Sequence, residues 1–347
     1  MPTASRTHLS VLDLAFLSDG GDSAQALADT TELARHADDL GYTRFWVAEH
    51  HNMPSIASTS PPVLIAHLAA STRRIRIGSG GVMLPNHPAL VVGEQFAMLE
   101  ALHPGRIDLG VGRAPGTDHL TAAALRRPPA DSIEREFSRH LLDVLGLLGD
   151  PRTTGGIWQR VHATPRAASN PAVLLLGSSD YSAQLAGKLG LPYAFAHHFD
   201  AGDVERALDL YRDAFTASPT RDRPYAVVTA SALAADTDEQ ARRLSAPGIV
   251  MRALARQGIF APMPAPDTAA AHPQVEAARR SRPNLITGEP AAVADRLAEL
   301  AARTGADEIM LDTETHGLAE RKRSLELIAA AWGLPVAAEL PVAAGRA

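Results

Sequence analysis

The chain has 347 residues, 46% hydrophobic and 21% charged, with 26 Gly and 25 Pro, which excludes a coiled coil, a collagen-like repeat and wholesale disorder. A net charge of −6 offers no basic field to a nucleic-acid backbone, and the lack of cysteine removes disulfides, thiolate nucleophiles and Cys-ligated metal centres. The length fits two ordinary domains or one large α/β barrel. Met1–Ser10 lacks the basic and apolar regions of a secretory signal, and no apolar run nears the roughly 20 residues of a membrane helix. A soluble cytoplasmic protein with no nucleic-acid or membrane partner is expected.

Along the chain, short β-branched runs alternate with longer helical patterns. Leu9–Phe16 reads as a strand, followed by the helix Gln25–Leu40, which stops at Gly41. The strand Thr43–Ala48, the helix Pro62–Ala70, the strand Arg74–Ser79 and the helix Pro88–Leu102 follow, the last with Pro in its first turn, where no N–H is missed. Arg106–Val111 (strand), Ile133–Leu148 (helix), Ala172–Leu176 (strand) and Tyr181–Leu189 (helix) continue the rhythm. Tyr193–Ala196 (strand), Val204–Ala217 (helix), Tyr225–Ala230 (strand) and a helix near Glu239–Leu254 extend it. The Pro- and Ala-rich stretch Gly258–Asn284 then breaks it. It resumes with the helix Pro290–Arg303, the strand Glu308–Leu311 and the helix Ala319–Trp332. Eight strand–helix units with short connections favour parallel pairing and right-handed crossovers. The expected fold is α/β: one closed (β/α)8 barrel over residues 1–347, with an excursion at about 246–284 after strand seven. An open doubly wound sheet is the alternative.

In such a barrel, chemistry belongs at the C-terminal strand ends, and these are unusually polar. Strand two ends in Glu49-His50-His51-Asn52, strand three in Ser79-Gly80-Gly81, and strand four in Gly112-Arg113. Strand five runs into Ser178-Ser179 and then Ser182, and strand six ends in His197-His198. Serines opening a helix after Gly177 present free N–H groups and the positive end of the helix dipole to an anion. An ordinary serine N-cap explains the same residues. Arg113, on the neighbouring strand end, can bring a bidentate guanidinium to the same phosphate. This is no Walker loop, because its Gly-Lys-Ser/Thr element is absent. Adjacent strand residues point to opposite faces, so His50 and His51 cannot readily chelate one ion, and no metal site is expected. Gly80-Gly81 marks a bulge or a backbone approached closely by a flat ligand.

Taken in order, Ala48-Glu49-His50-His51, the run Gly78 to Pro88, the run Gly105 to Arg113, Ser178-Ser179, Gly190-Leu191-Pro192, Thr287-Gly288-Glu289-Pro290 and Thr304-Gly305-Ala306-Asp307 resemble the bacterial luciferase-like flavin monooxygenases. The resemblance covers nearly the whole chain and is weakest over Gly258–Asn284. It implies a (β/α)8 barrel that binds FMN, or in one branch the deazaflavin F420, at the strand C-termini. It further implies a separate NAD(P)H flavin reductase, whose reduced flavin meets O2 to form a peroxyflavin that oxygenates a small organic substrate. By the same resemblance His50 is the active-site histidine beside the flavin, Glu49 its neighbour, and His198 a second candidate. Arg113, Ser178, Ser179 and Ser182 hold the flavin phosphate, and the ring lies on a cis Gly80–Gly81 bond. Gly112 stands where luciferases proper carry a reactive Cys, and the long loop after strand seven is replaced by the Pro-rich segment. Both features point away from light emission and long-chain aldehyde oxidation, while the Arg- and Ala-rich composition and the small residues around the site resemble tailoring epoxidases and hydroxylases of aromatic polyketide biosynthesis; a homodimer is expected. An F420-dependent hydride-transfer enzyme and a non-catalytic flavin-binding protein are the alternatives.

Overall fold

The computed structural model describes residues 7–114, 117–152, 154–199 and 202–335; the ends of the expected 1–347 domain lie outside them. Ten strands are formed: β1 (His8–Asp13), β2 (Arg44–Val47), β3 (Arg76–Ser79), β4 (Val82–Met83), β5 (Ile107–Gly112), β6 (Ala172–Gly177), β7 (Tyr193–Phe195), β8 (Ala226–Ala234), β9 (Ile286–Gly288) and β10 (Glu308–Asp312). Their named pairings are all parallel, in the order β10-β1-β2-β3-β5-β6-β7-β8, and β8 pairs β10 to close the ring. This is the eight-stranded (β/α)8 barrel; the open sheet is excluded. β4 continues β3 beyond Gly80–Gly81 and pairs β5 through Val82 and Val111.

Period-two alternation sorts each strand between two environments. Leu9, Val11, Phe45 and Val47 face the surrounding helices in the main core, whereas Leu12, Trp46, Leu174, Ala194, Val227 and Met310 pack together inside the barrel. Below that inner layer lies a buried ionic floor. Arg44 reaches Asp108 at 2.7 Å and Glu308 at 2.9 Å, Arg76 reaches Asp108 at 2.6 Å, and Trp46 Nε1 and Tyr225 OH donate to Asp108 and Glu308.

The excursion begins inside a helix, Asp238–Ala255, and holds two short helices, Pro266–Ala270 and Val275–Arg280. Ala246, Ile249 and Val250 pack on Ala269 and Val275 as a small satellite core. Met263, fully buried, bridges the segment after β1 next to Phe16 and Ile56, so the excursion crosses the mouth. Two features depart from the expected elements. β8 runs on to Ala234 rather than stopping at Ala230, because Ala232–Ala234 find a partner in β9, a strand formed as the excursion returns. The segment before the fourth helical unit adds a short helix, His119–Ala124, capped by Asp118.

Candidate active site

On the strand β2 and its extension, Arg44, Trp46, Ala48 and His50 alternate with Phe45, Val47, Glu49 and His51. The first set rises through the barrel interior from the ionic floor to the mouth, and places His50 on the wall of a cavity of about 540 Å³. The same cavity is lined by Gly80, Gly81, Arg113, Ser178, Ser179, Ser182 and His198, so eight of the nine residues singled out from the sequence converge there. The ninth, Glu49, does not line it.

Arg113 leaves the end of β5 with its guanidinium 4.6 Å above the Tyr181 ring, and no carboxylate pairs with it among the described residues. Beside it, Ser179 caps the helix Asp180–Lys188 in a capping box with Ser182, through long contacts of 3.4 Å. Ser182 Oγ also meets Tyr193 OH at 3.1 Å. A Cβ at Gly177 would sit 2.2 Å from Ser182 Oγ, so only glycine lets the strand end come this close to the helix start. The serines thus order the helix end as an N-cap, and that end lines the cavity beside Arg113. The Gly80–Gly81 bond is cis. A Cβ at Gly80 would meet Leu12 Cδ1 at 2.8 Å and one at Gly81 would meet Gly110 O at 2.8 Å, so the dipeptide admits no side chain.

Glu49 sits on the opposite side of its strand from His50, fully buried. One carboxylate oxygen accepts from His51 Nε2 and His87 Nε2, each at 2.9 Å, and from Asn86 Nδ2 at 3.0 Å; the other accepts the Met83 N–H at 3.0 Å. Burial pushes this carboxyl up, but those donors outweigh it and hold it below the ordinary glutamate value. Alternation along the strand thus places Glu49 behind the cavity wall that His50 lines. It also brings Glu49, His51 and His87 within metal-ligand reach, which the strand argument about His50 and His51 did not consider. Their ligand atoms are already joined by hydrogen bonds. Asn86 Oδ1 in turn accepts from Arg127 Nη1 at 2.5 Å, and Arg127 Nη2 donates to Arg113 O at 2.6 Å, linking Glu49 to the arginine that lines the cavity.

Behind His198 lies a charge cluster with no local signature in the sequence. Arg252 donates to Glu314 at 2.6 Å, to Asp312 at 2.8 Å and to His198 O at 3.1 Å, and Arg282 donates to Glu314 and Ser231 at 2.8 Å. Both arginines come from the excursion. Burial, reinforced by Glu314, pushes the Asp312 carboxyl up to about 7 against the pull of Arg252. Burial followed by Arg252 and Arg282 drives His198 well below the ordinary histidine value, so its imidazole is neutral. Its Nδ1 is buried without a hydrogen-bond partner.

The closed parallel barrel therefore gathers a serine-capped helix start, a side-chain-free glycine wall and two imidazoles in one apolar-sided mouth. Residues 7–308 match the family described as luciferase-like monooxygenase. The chain is 40% identical over 324 residues to a protein of Escherichia coli K12 named "Luciferase-like monooxygenase", covering 92% of this chain and 95% of that one. It is 39% identical over 237 residues to an N-acetyl-S-alkylcysteine monooxygenase of Bacillus subtilis, covering 68% and 70%. Its fold is similar to that of apo-MsnO8, with a TM-score of 0.88 and 37% identity over 95% of this chain and 100% of the other. The chain belongs to the luciferase-like monooxygenase family. No described helix is long and apolar enough to cross a membrane.

Proposed function

We propose that the chain is the oxygenase of a two-component system: it takes reduced FMN from a separate NAD(P)H flavin reductase and, with O2, oxygenates a small organic substrate. The observation that carries this is Arg113, a guanidinium without an ion pair among the described residues, beside the Ser179–Ser182 helix start in the mouth that also holds His50. These residues fit a flavin mononucleotide: Arg113 and the serines would hold its phosphate, and the side-chain-free Gly80–Gly81 backbone would take a flat ring. When bound, the reduced flavin supplies the electrons that activate O2.

The protein's part is position, dryness and proton control. Leu12, Leu14, Trp46 and Met310 shield the inner wall from water. His50, on the cavity wall, is the group proposed to move a proton at its ring nitrogen. His198, held neutral by burial beside Arg252 and Arg282, lines the same cavity. The oxygen atom goes to a double bond or an activated C–H of the substrate, giving an epoxide or an alcohol, as in the polyketide tailoring enzymes the sequence resembles. The relative named for S-alkylcysteines supports sulfur oxygenation as a second outcome. A second copy of the chain is the proposed structural partner. Helices Pro61–Ser71 and Ala89–Leu102 lie side by side, with Val63, Val91, Met98 and Leu102 exposed.

The test is anaerobic titration with reduced FMN, FMN and F420, followed by mixing with 18O-labelled O2 and a panel of organic substrates. Preferential binding of reduced FMN and label in the product are expected. Preference for F420 with no O2 consumption would replace this reading with hydride transfer, and flavin oxidation without labelled product would leave a flavin-binding protein.

A further inference from the structure

We infer that Tyr181 is a positioning residue: its ring holds the Arg113 guanidinium at the cavity, so that the cofactor's phosphate meets an arginine already in place. The inference rests on the phosphate reading above and adds to it the group that fixes the arginine. The Arg113 guanidinium carbon lies 4.6 Å over the Tyr181 ring, and no carboxylate of the described residues pairs with it. At the other end of the residue, the Arg113 carbonyl accepts Arg127 Nη2 at 2.6 Å. Backbone and tip are therefore both held. Tyr181 is the second residue of the helix Asp180–Lys188, between the two members of the Ser179–Ser182 capping box. Its partly buried ring packs against the main core. Ring and serines thus belong to one ordered turn, and an arginine resting on the ring is placed relative to both serines. Arg113, Ser179 and Ser182 line the cavity while Tyr181 stands outside its lining, so the ring acts through the arginine.

An arginine side chain has many rotamers, and ordering them at the moment of binding subtracts from affinity. The negative face of an aromatic ring attracts the cation beforehand, and it does so without an acceptor oxygen. The guanidinium N–H groups therefore stay available to a phosphate. A carboxylate in the ring's place would order the arginine too, but it would occupy those N–H groups and cancel the charge. The neighbouring carboxylate, Asp180, is turned to another partner: Arg206 donates to it from Nη2 at 2.9 Å and from Nε at 3.2 Å. An aromatic residue beside Asp180 thus leaves Arg113 both ordered and uncommitted.

The experiment is a double-variant cycle on the affinity for oxidised FMN, read by equilibrium dialysis, so no turnover is needed. Tyr181→Leu is expected to weaken FMN about five- to tenfold, and Tyr181→Phe, which keeps the ring face, by less than about twofold. In an Arg113→Ala background Tyr181→Leu should change the affinity by less than about twofold, because the ring has no guanidinium left to hold. The 31P resonance of bound FMN should move towards that of free FMN in Tyr181→Leu and stay in place in Tyr181→Phe. If circular dichroism shows Tyr181→Leu unfolded, Tyr181→Met takes its place in the cycle. An equal loss in both backgrounds overturns the inference, since the ring then serves only the packing of the helix. A Tyr181→Leu affinity like that of the wild type, beside a 10- to 100-fold loss in Arg113→Ala, removes the positioning role and keeps the phosphate reading. Unchanged FMN affinity in Arg113→Ala removes both.

Discussion

Replacing Glu49 by Ala separates a supporting role from a chemical one. The carboxylate is fully buried and accepts four hydrogen bonds at 2.9–3.0 Å. His51 and His87, with side chains 20% and 32% exposed, can turn to water when it is removed. The Met83 N–H and the Asn86 amide are more enclosed and would lose their acceptor. At about 1–3 kcal/mol for each stranded donor, the loss is about 2–5 kcal/mol. In a chain of this size that corresponds to a fall in melting temperature of roughly 3–7 °C. The released Asn86 would also loosen Arg127 and, through it, the carbonyl of Arg113, so reduced-flavin affinity should fall by up to about tenfold. Glu49→Gln keeps one acceptor oxygen but sets an N–H against a donor, and about half the thermal loss is expected. Scanning calorimetry and anaerobic flavin titration read both effects. A melting temperature unchanged within about 1 °C would refute the network argument. Full stability and flavin affinity combined with lost turnover would return Glu49 to a direct part in the reaction.

Arg113→Ala removes a charge-assisted contact of about 1.5–3 kcal/mol, so reduced-FMN affinity should drop roughly 10- to 100-fold. Because no described carboxylate is left unpaired, the melting temperature should barely move; an unchanged flavin affinity would place the phosphate elsewhere. His50→Ala should lower turnover roughly 10²- to 10⁴-fold while flavin affinity stays within a few-fold, as measured by single-turnover kinetics. A larger loss in His198→Ala would transfer that role. Asp312 holds its proton in the folded state up to about 7, above its unfolded value, so the stability it contributes is present in acid and lost as pH rises through about 7. Thermal melts from pH 5 to 8 should show this decline in the wild type and a flatter profile in Asp312→Asn. Light scattering should find a dimer, and the double variant Val63→Asp/Leu102→Asp a monomer; a monomeric wild type would remove the second copy as partner.

The barrel was legible because its elements are local. Period-two runs such as Leu9–Phe16 and Arg106–Val111 and the amphipathic helices between them repeat eight times, and chirality leaves few ways to close such a series. The lining residues were legible for a related reason. Glycine, serine and histidine at strand ends stand out against apolar strands, and topology carries every strand end to one mouth. Glu49 was read from its neighbourhood in sequence rather than from its face, although the alternation that puts Arg44, Trp46 and His50 inside already puts Glu49 and His51 outside. The strand β9 stayed hidden because a three-residue run, Ile286–Gly288, has no pattern of its own; it forms only where β8 offers an edge.

The sequence by itself determined the order of strands and helices, the barrel end to which the polar strand ends are carried, and eight of the residues that line the cavity there. Only the tertiary structure decided how those charges are paired. Arg252, in a helix, and Arg282, in the Pro- and Ala-rich stretch, are ordinary arginines until the excursion folds back over Asp312 and Glu314, 60 and 32 residues further along the chain. The same fold leaves Arg113 with an aromatic ring and no carboxylate. Pairing depends on distances of a few ångströms between segments far apart in sequence, and burial sets how strongly each pair acts. No local pattern encodes either quantity, because both arise when the chain closes on itself and water leaves.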